Sequence, residues 1–155
     1  YNKYVKRRIF NVDLENKRIG FVMTGSFCTF AKTIEQLKII ASNNKIIPIM
    51  SENSYTMDTK FGKAKDFIEE IENITNHQVL HTIQEVEPLG PKDMLDILIV
   101  APTTGNTIAK LANDIIDDPA TMAVNAHVLY WQFFVLTNTP SGCIISYDRF
   151  GGDKI

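Results

Sequence analysis

Apolar and polar positions alternate in blocks along this chain, and the period within each block shows what it builds. Ile19-Gly20-Phe21-Val22-Met23 is a continuous apolar run between Lys17-Arg18 and Thr24-Gly25-Ser26, which predicts a buried strand entering a tight turn. From Thr29 onward Phe30, Ala31, Ile34, Leu37 and Ala41 recur at three and four, with Lys32, Glu35 and Lys38 opposite. That spacing predicts an amphipathic helix, stopped by Ser42-Asn43-Asn44. Ile46 to Met50 predicts a second strand, placed at an edge or a strand end because Pro48 has no N–H to give a ladder.

The polar stretch from Ser51 to Asp58 carries no stripe. After it, Ala64, Phe67, Ile68, Ile71 and Ile74 predict a second helix closed by Thr75-Asn76. Asp58 or Thr59 can cap it, or Lys60-Phe61-Gly62 can form a separate turn before it. Val79-Leu80 is long enough for a brief strand, and Glu85 to Pro91 reads as a loop because two prolines and a glycine interrupt it. Met94 to Ala101 is the clearest strand in the chain, apolar almost throughout, as expected of a central parallel strand covered on both faces. Pro102 to Asn106 turns it into a third helix with the face Ile108, Leu111, Ala112, Ile115 and Ile116. A further short helix is expected from Asp118-Pro119, a cap residue followed by proline in the first helical position. Strands alternating with helices across short joins imply an open, mostly parallel α/β sheet with right-handed crossovers.

Composition narrows the function. The 155 residues are 45% hydrophobic and 22% charged, which disfavours disorder, and a formal charge of −2 gives no general drive toward nucleic acid or anionic lipid. Six of the basic side chains lie in residues 1–18, so residues 1–16 are expected to be a basic tail and residues 17–155 a single domain. The cluster Lys6-Arg7-Arg8 is not followed by the apolar stretch of a secretory signal, and Val128 to Leu136 is about half a membrane span. Cys28 and Cys143 match neither a metal knuckle nor a redox pair, and His77, His81 and His127 have no ligand spacing. A cytoplasmic protein without a metal is therefore expected.

In an open parallel sheet, ligands bind beyond the carboxyl ends of the strands. Here those ends carry Thr24-Gly25-Ser26, Ser51 to Asp58 and Pro102 to Thr107, hydroxyl, amide and glycine chemistry of the kind that cradles a phosphate, or that simply forms turns. Thr24-Gly25-Ser26 lacks the later glycines of the dinucleotide fingerprint, and no G-K-[ST] loop exists.

Pro102-Thr103-Thr104-Gly105-Asn106-Thr107 resembles the proline-to-asparagine-threonine signature of the flavoprotein family that includes flavin-dependent cysteine decarboxylases and flavin prenyltransferases. Gly20 to Thr29, Asp58 to Ala64 and Glu85 to Pro91 strengthen the resemblance, which covers roughly residues 17 to 127. It implies a flavodoxin-like, Rossmann-like three-layer fold and an FMN cofactor. Thr24, Gly25 and Ser26 match the first flavin-phosphate loop, Ser51 the hydroxyl after the second strand, and Thr103, Thr104, Asn106 and Thr107 the loop after the central strand.

Within the family the motifs are closest to a branch implying an oxidoreductase subunit of the sporulation mother cell. Such a subunit is expected to be homo-oligomeric and to act on a small dicarboxylate with a dehydrogenase-like partner subunit, through which NADP or NAD enters. Lys60 and Lys63 are candidates for the dicarboxylate, and Glu85 and Glu87 for an acid or base; exposed lysines and polar loop residues are the simpler readings. A non-catalytic supporting subunit, or another FMN enzyme such as a cysteine-type decarboxylase, are the alternatives. From Val128 to Ile155 the sequence departs from the family pattern, as a truncation, a changed reading frame or a genuine variant would.

Overall fold

The first three strands in chain order present alternate residues to two separate layers of helix, and both layers are apolar. The computed structural model describes residues 15–129 in full and, beyond them, the backbone of 133–138 and 143–147. Most of the expected basic tail, and the atypical stretch 128–155 apart from its start and those two strands, lies outside the described residues. In chain order the elements are β1 (Arg18–Met23), α1 (Phe30–Ala41), β2 (Lys45–Met50), α2 (Glu52–Thr56), α3 (Ala64–Thr75), α4 (Ile83–Val86), β3 (Ile97–Val100), α5 (Gly105–Ala112), α6 (Pro119–Leu129), β4 (Phe133–Asn138) and β5 (Cys143–Tyr147). Short 3-10 turns occupy Phe27–Thr29 and Glu87–Leu89.

The five strands run in the order β2-β1-β3-β4-β5. β2, β1, β3 and β4 are parallel, with Ile19 opposite Ile46 and Ile97, and β5 returns antiparallel to β4. Ile19, Phe21 and Met23 of β1 face a core shared with Phe30, Ile34 and Leu37 of α1 and Ile71 of α3. Val22 points the other way, into a core with Leu98 and Val100 of β3, Val86, and Ala120, Ala123 and Val124 of α6. Crossovers from β1 and β3 thus leave to opposite faces of the sheet, which opens a crevice at the carboxyl ends of these neighbours. The sheet flanked by two helical layers is the flavodoxin-like arrangement expected.

Several elements differ from the sequence reading. β3 is shorter than Met94–Ala101, because Asp93 takes a left-handed backbone and Met94 is exposed. In α1 Thr33 is buried and Ala31 is exposed; the Thr33 hydroxyl donates to the Thr29 carbonyl, which removes the cost of burying it. α5 ends at Ala112, since Asn113 and the left-handed Asp114 stop it, so Ile115 and Ile116 fall on an exposed connection. The expected loop from Glu85 is instead helical, with Pro88 near the start of the 3-10 turn, where a missing N–H is tolerated. Ahead of α3, Asp58 Oδ1 accepts from the Ala64 N–H at 2.9 Å while Thr59 and Gly62 close a separate turn, so both expected devices are present. Gly62 sits at φ +152°, where a Cβ would also lie 2.7 Å from the Phe67 ring.

At the amino end of the sheet Arg18 and Asp96 clasp β1 to the approach of β3. Asp96 accepts from the Arg18 backbone N–H at 2.7 Å and from the guanidinium at 2.7 Å. Arg18 holds the Asp96 carboxyl below the usual carboxylate range, in spite of partial desolvation. Because the folded value is the lower one, this contribution is complete above the ordinary carboxylate pKa and is lost as pH falls through the folded value. Wild type is therefore expected to lose more stability between pH 6 and pH 3 than Asp96→Asn does. Urea midpoints of the two proteins at both pH values check this, and equal losses would refute it.

Candidate functional site

Three polar segments at the carboxyl ends of β1, β2 and β3 converge on one cleft of about 300 Å³. Its walls include Gly25 and Phe27 after β1, Ser51, Asn53 and Met57 around α2, and Thr104, Asn106, Thr107 and Lys110 of the β3–α5 connection, with Asp118 and Thr121 at α6. A larger surface hollow, about 610 Å³, lies at the opposite end of the strands, along Glu15 to Arg18 and Ala41 to Lys45. The smaller cleft is the better site, since it stands at the topological switch and gathers the hydroxyls and helix starts.

Thr24 organises this end of the sheet from beneath the surface. Its side chain is buried; Oγ1 donates to the Pro102 carbonyl at 2.8 Å and accepts from the Thr104 N–H at 3.0 Å. The loop after β1 is thereby tied to the start of α5. Thr104 is the N-cap of that helix: Oγ1 accepts from the Thr107 N–H at 3.1 Å and lies 2.9 Å from Thr107 Oγ1. The remaining first-turn N–H groups of α5 have no partner within the helix, which gives this wall a partial positive charge.

Ser51 caps α2 in the same way, accepting from the Ser54 N–H, while its own N–H donates to the Met23 carbonyl at 3.0 Å. Gly25 leaves space between two other liners, for a Cβ there would stand 3.6 Å from the Phe27 ring and 3.9 Å from Asn53. One part of the cleft is hydroxyl and amide, and Phe27 and Met57 make another part apolar. This pairing fits an amphiphilic ligand with an anionic group and a flat apolar body.

Gly25, Ser51, Thr104, Asn106 and Thr107 are thus brought together as the sequence suggested. Thr24 and Thr103 lie underneath, Thr103 with no exposure and its hydroxyl on the Val100 carbonyl. Ser26 turns its carbonyl to Thr29 and is not part of the wall. Lys60 stands over the Phe61 ring, and Lys63 precedes α3 on the surface; neither lines the cleft. Glu87 is exposed in the 3-10 turn, and Glu85 completes a capping box with Thr82 at the start of α4. The N–H groups of His81 and Thr82, together with the Thr82 hydroxyl, hold Glu85 below the usual carboxylate range. An acid with its charge already stabilised by three donors is a poor proton donor at neutral pH.

The sequence reading missed Phe27, Asn53, Met57, Lys110 and Thr121 as liners, and Asp118 beyond its capping role. Lys110 is the cleft's ammonium. Its Nζ is bonded to Asp117 at 2.8 Å, which, with nearby Asp118 and Glu52, raises its pKa. A second unanticipated feature stands on α2, where the Tyr55 ring stacks on His81 with centroids 3.8 Å apart and planes 5° from parallel. His81 Nδ1 is 3.6 Å from Glu85 Oε2. Among the described residues no three or more His, Cys, Asp or Glu side chains form a metal cluster.

The model of the Flavoprotein family matches residues 8–137, most of the chain. The chain belongs to this flavoprotein family. It is 37% identical over 116 residues to the B subunit of dipicolinate synthase from Bacillus subtilis, a stretch that is 74% of this flavoprotein and 58% of the relative, so the chain spans less than two thirds of that protein's length. The crystal structure of the same dipicolinate synthase subunit from Bacillus halodurans superposes with a TM-score of 0.66 at 31% identity, covering 79% of this chain and 66% of that one. A Burkholderia xenovorans protein in complex with FMN, described as a cubic protein cage for redox transfer, superposes with a TM-score of 0.58 at 18% identity, covering 86% and 76%. The last likeness is one of fold. No helix of the flavoprotein's described residues is long and apolar enough to cross a membrane.

Proposed function

We propose that this flavoprotein binds FMN in the cleft and serves as the B subunit of a dipicolinate synthase. With the dehydrogenase-like partner, the A subunit of that enzyme, it would oxidise a dihydrodipicolinate-type precursor to pyridine-2,6-dicarboxylate in the cytoplasm of the mother cell during sporulation. The observation that carries the reading is the cleft itself, with a hydroxyl-capped helix start on one wall, apolar Phe27 and Met57 on others, and an unfilled space at Gly25. Similarity to the two dipicolinate synthase relatives, at 37% and 31% identity, supports the choice of reaction. We take residues 17–155 as one domain, residues 1–16 as its tail, and a homo-oligomer as the working form.

Bound FMN would supply an acceptor for the hydride removed when the ring becomes aromatic. The chain's own residues hold and orient it. Thr104, Asn106, Thr107 and Ser51 bring hydroxyl, amide and helix-start donors to the phosphate, Gly25 admits it, and Thr24 and Thr103 keep the loops in register. Phe27 and Met57 supply apolar surface for the ring and limit water at that part of the cleft. NADP or NAD enters through the dehydrogenase-like partner. Lys60, Lys63, Glu85 and Glu87 remain proposed dicarboxylate or proton-transfer residues only through surfaces outside this cleft.

The test is a visible spectrum of the purified full chain after excess FMN and desalting, with circular dichroism on the same sample. A retained flavin band in folded protein is expected. Folded protein that retains none would overturn the cofactor, and retained flavin without dipicolinate formation in the presence of the dehydrogenase-like partner would overturn the reaction.

A further inference from the structure

Asp118 stands where three helices meet at the cleft, and its two carboxylate oxygens serve different helices. Oδ1 accepts from the Ala120 N–H at 2.8 Å, capping α6, and Oδ2 accepts from the Glu52 N–H at 3.0 Å, at the first residue of α2. Thr121, almost fully buried, braces the cap by donating its hydroxyl to the Asp118 carbonyl at 2.9 Å. One wall of the cleft is Ser51, Asn53 and Met57 around α2; another is Thr121 on α6 and Lys110 on α5. The Glu52–Asp118 bond ties these walls together.

Only a carboxylate does this well. It offers two equivalent acceptor oxygens, whereas asparagine keeps one oxygen and presents an NH₂ to the second N–H. The carboxylate also takes the Glu52 N–H, so side chains hold both the Glu52 and the Ser54 N–H of α2, whereas in the first turn of α5 only the Thr107 N–H is taken by a side chain, which leaves α5 the more open to an anionic group. Lys110 is already matched by Asp117 and does not reverse this.

We propose that Asp118 is a positioning residue that sets the separation of the α2 and α6 walls and directs the ligand's anionic group to α5. The ligand half of this proposal rests on the flavin reading; the clasp itself does not. Two measurements on the full chain separate them. FMN affinity is read by quenching of flavin fluorescence in wild type, Asp118→Asn, Asp118→Ala and Asp96→Asn, the last making the same charge change at the opposite end of the sheet. Amide hydrogen exchange at Glu52 is read without ligand in the same proteins. Asp118→Asn is expected to weaken FMN binding at least tenfold and to speed Glu52 exchange at least tenfold. Asp96→Asn should leave both within twofold, even where its urea midpoint falls as far. If Asp118→Ala does not fold, Asp118→Asn, which retains one cap, carries the test. Unchanged Glu52 exchange overturns the clasp. Unchanged FMN affinity, with exchange accelerated, overturns its role in binding, and a wild type that takes no FMN overturns the flavin reading while exchange still decides the clasp.

Discussion

Phe30→Ala is expected to lower the unfolding free energy by about 3–5 kcal/mol, the usual cost of emptying a phenylalanine site in a close-packed core. Phe30 has no exposed surface and opens α1 directly after the turn that follows β1. Its ring meets Phe67 of α3 edge-on, with centroids 5.1 Å apart at 72°, and Phe27 at 5.2 Å. The first contact joins the two helices of this layer, and the second steadies a wall of the cleft. The loss should therefore appear twice, in the urea midpoint and in weaker FMN retention under conditions where the variant is still folded. A change under about 1 kcal/mol would mean that neighbouring side chains collapse into the space, and would refute this account of the layer.

Thr24→Val should cost about 1–3 kcal/mol although shape and volume barely change. The penalty comes from leaving a half-buried donor without its acceptor: the Thr104 N–H loses the Thr24 hydroxyl it reaches at 3.0 Å. The Pro102 carbonyl loses one of its two donors and keeps the Thr24 N–H at 3.2 Å. The damage is concentrated at the residue that caps α5, so FMN binding should weaken about tenfold or more. Thr24→Ser, which retains the hydroxyl, should restore most of it. Titration of flavin fluorescence against the three proteins checks this, and Val and Ser variants of equal affinity would exclude a role for the hydroxyl.

The parallel sheet was legible because burial on both faces leaves continuous apolar runs such as Ile97 to Val100, and helices α1 and α3 because their stripes repeat at three and four. α2 was not legible. Ser51 to Asp58 has no stripe, and the helix is held instead by the Ser51 cap, the bond from Ser54 Oγ to the Met23 carbonyl at 2.8 Å, and Asp118. The cap is a single local contact and the other two are links between distant residues, none of which an apolar period registers. The same limit hid Asn53 and Met57 in the cleft. It also let the α5 stripe run on to Ile116, since the apolar spacing continues past a backbone turn made by Asn113 and Asp114. Around the cleft, a hydroxyl after a strand marks the end of the sheet where the cleft lies without telling a lining side chain from a buried brace. Thr104 and Thr103 are adjacent, yet only Thr104 lines the cleft.

Pro48 and Leu80 have a consequence for how this protein meets other chains. β2 is an outer strand of the sheet, and outer strands are templates on which foreign strands can add and proteins can polymerise. Along Pro48 to Met50 that template is filled from within: Leu80 donates to the Pro48 carbonyl and accepts from the Met50 N–H, both at 2.9 Å. Pro48 itself has no N–H to offer. A single residue arriving from the end of a distant helix thus acts as a stopper, leaving this stretch of margin without the ladder that self-templated growth requires.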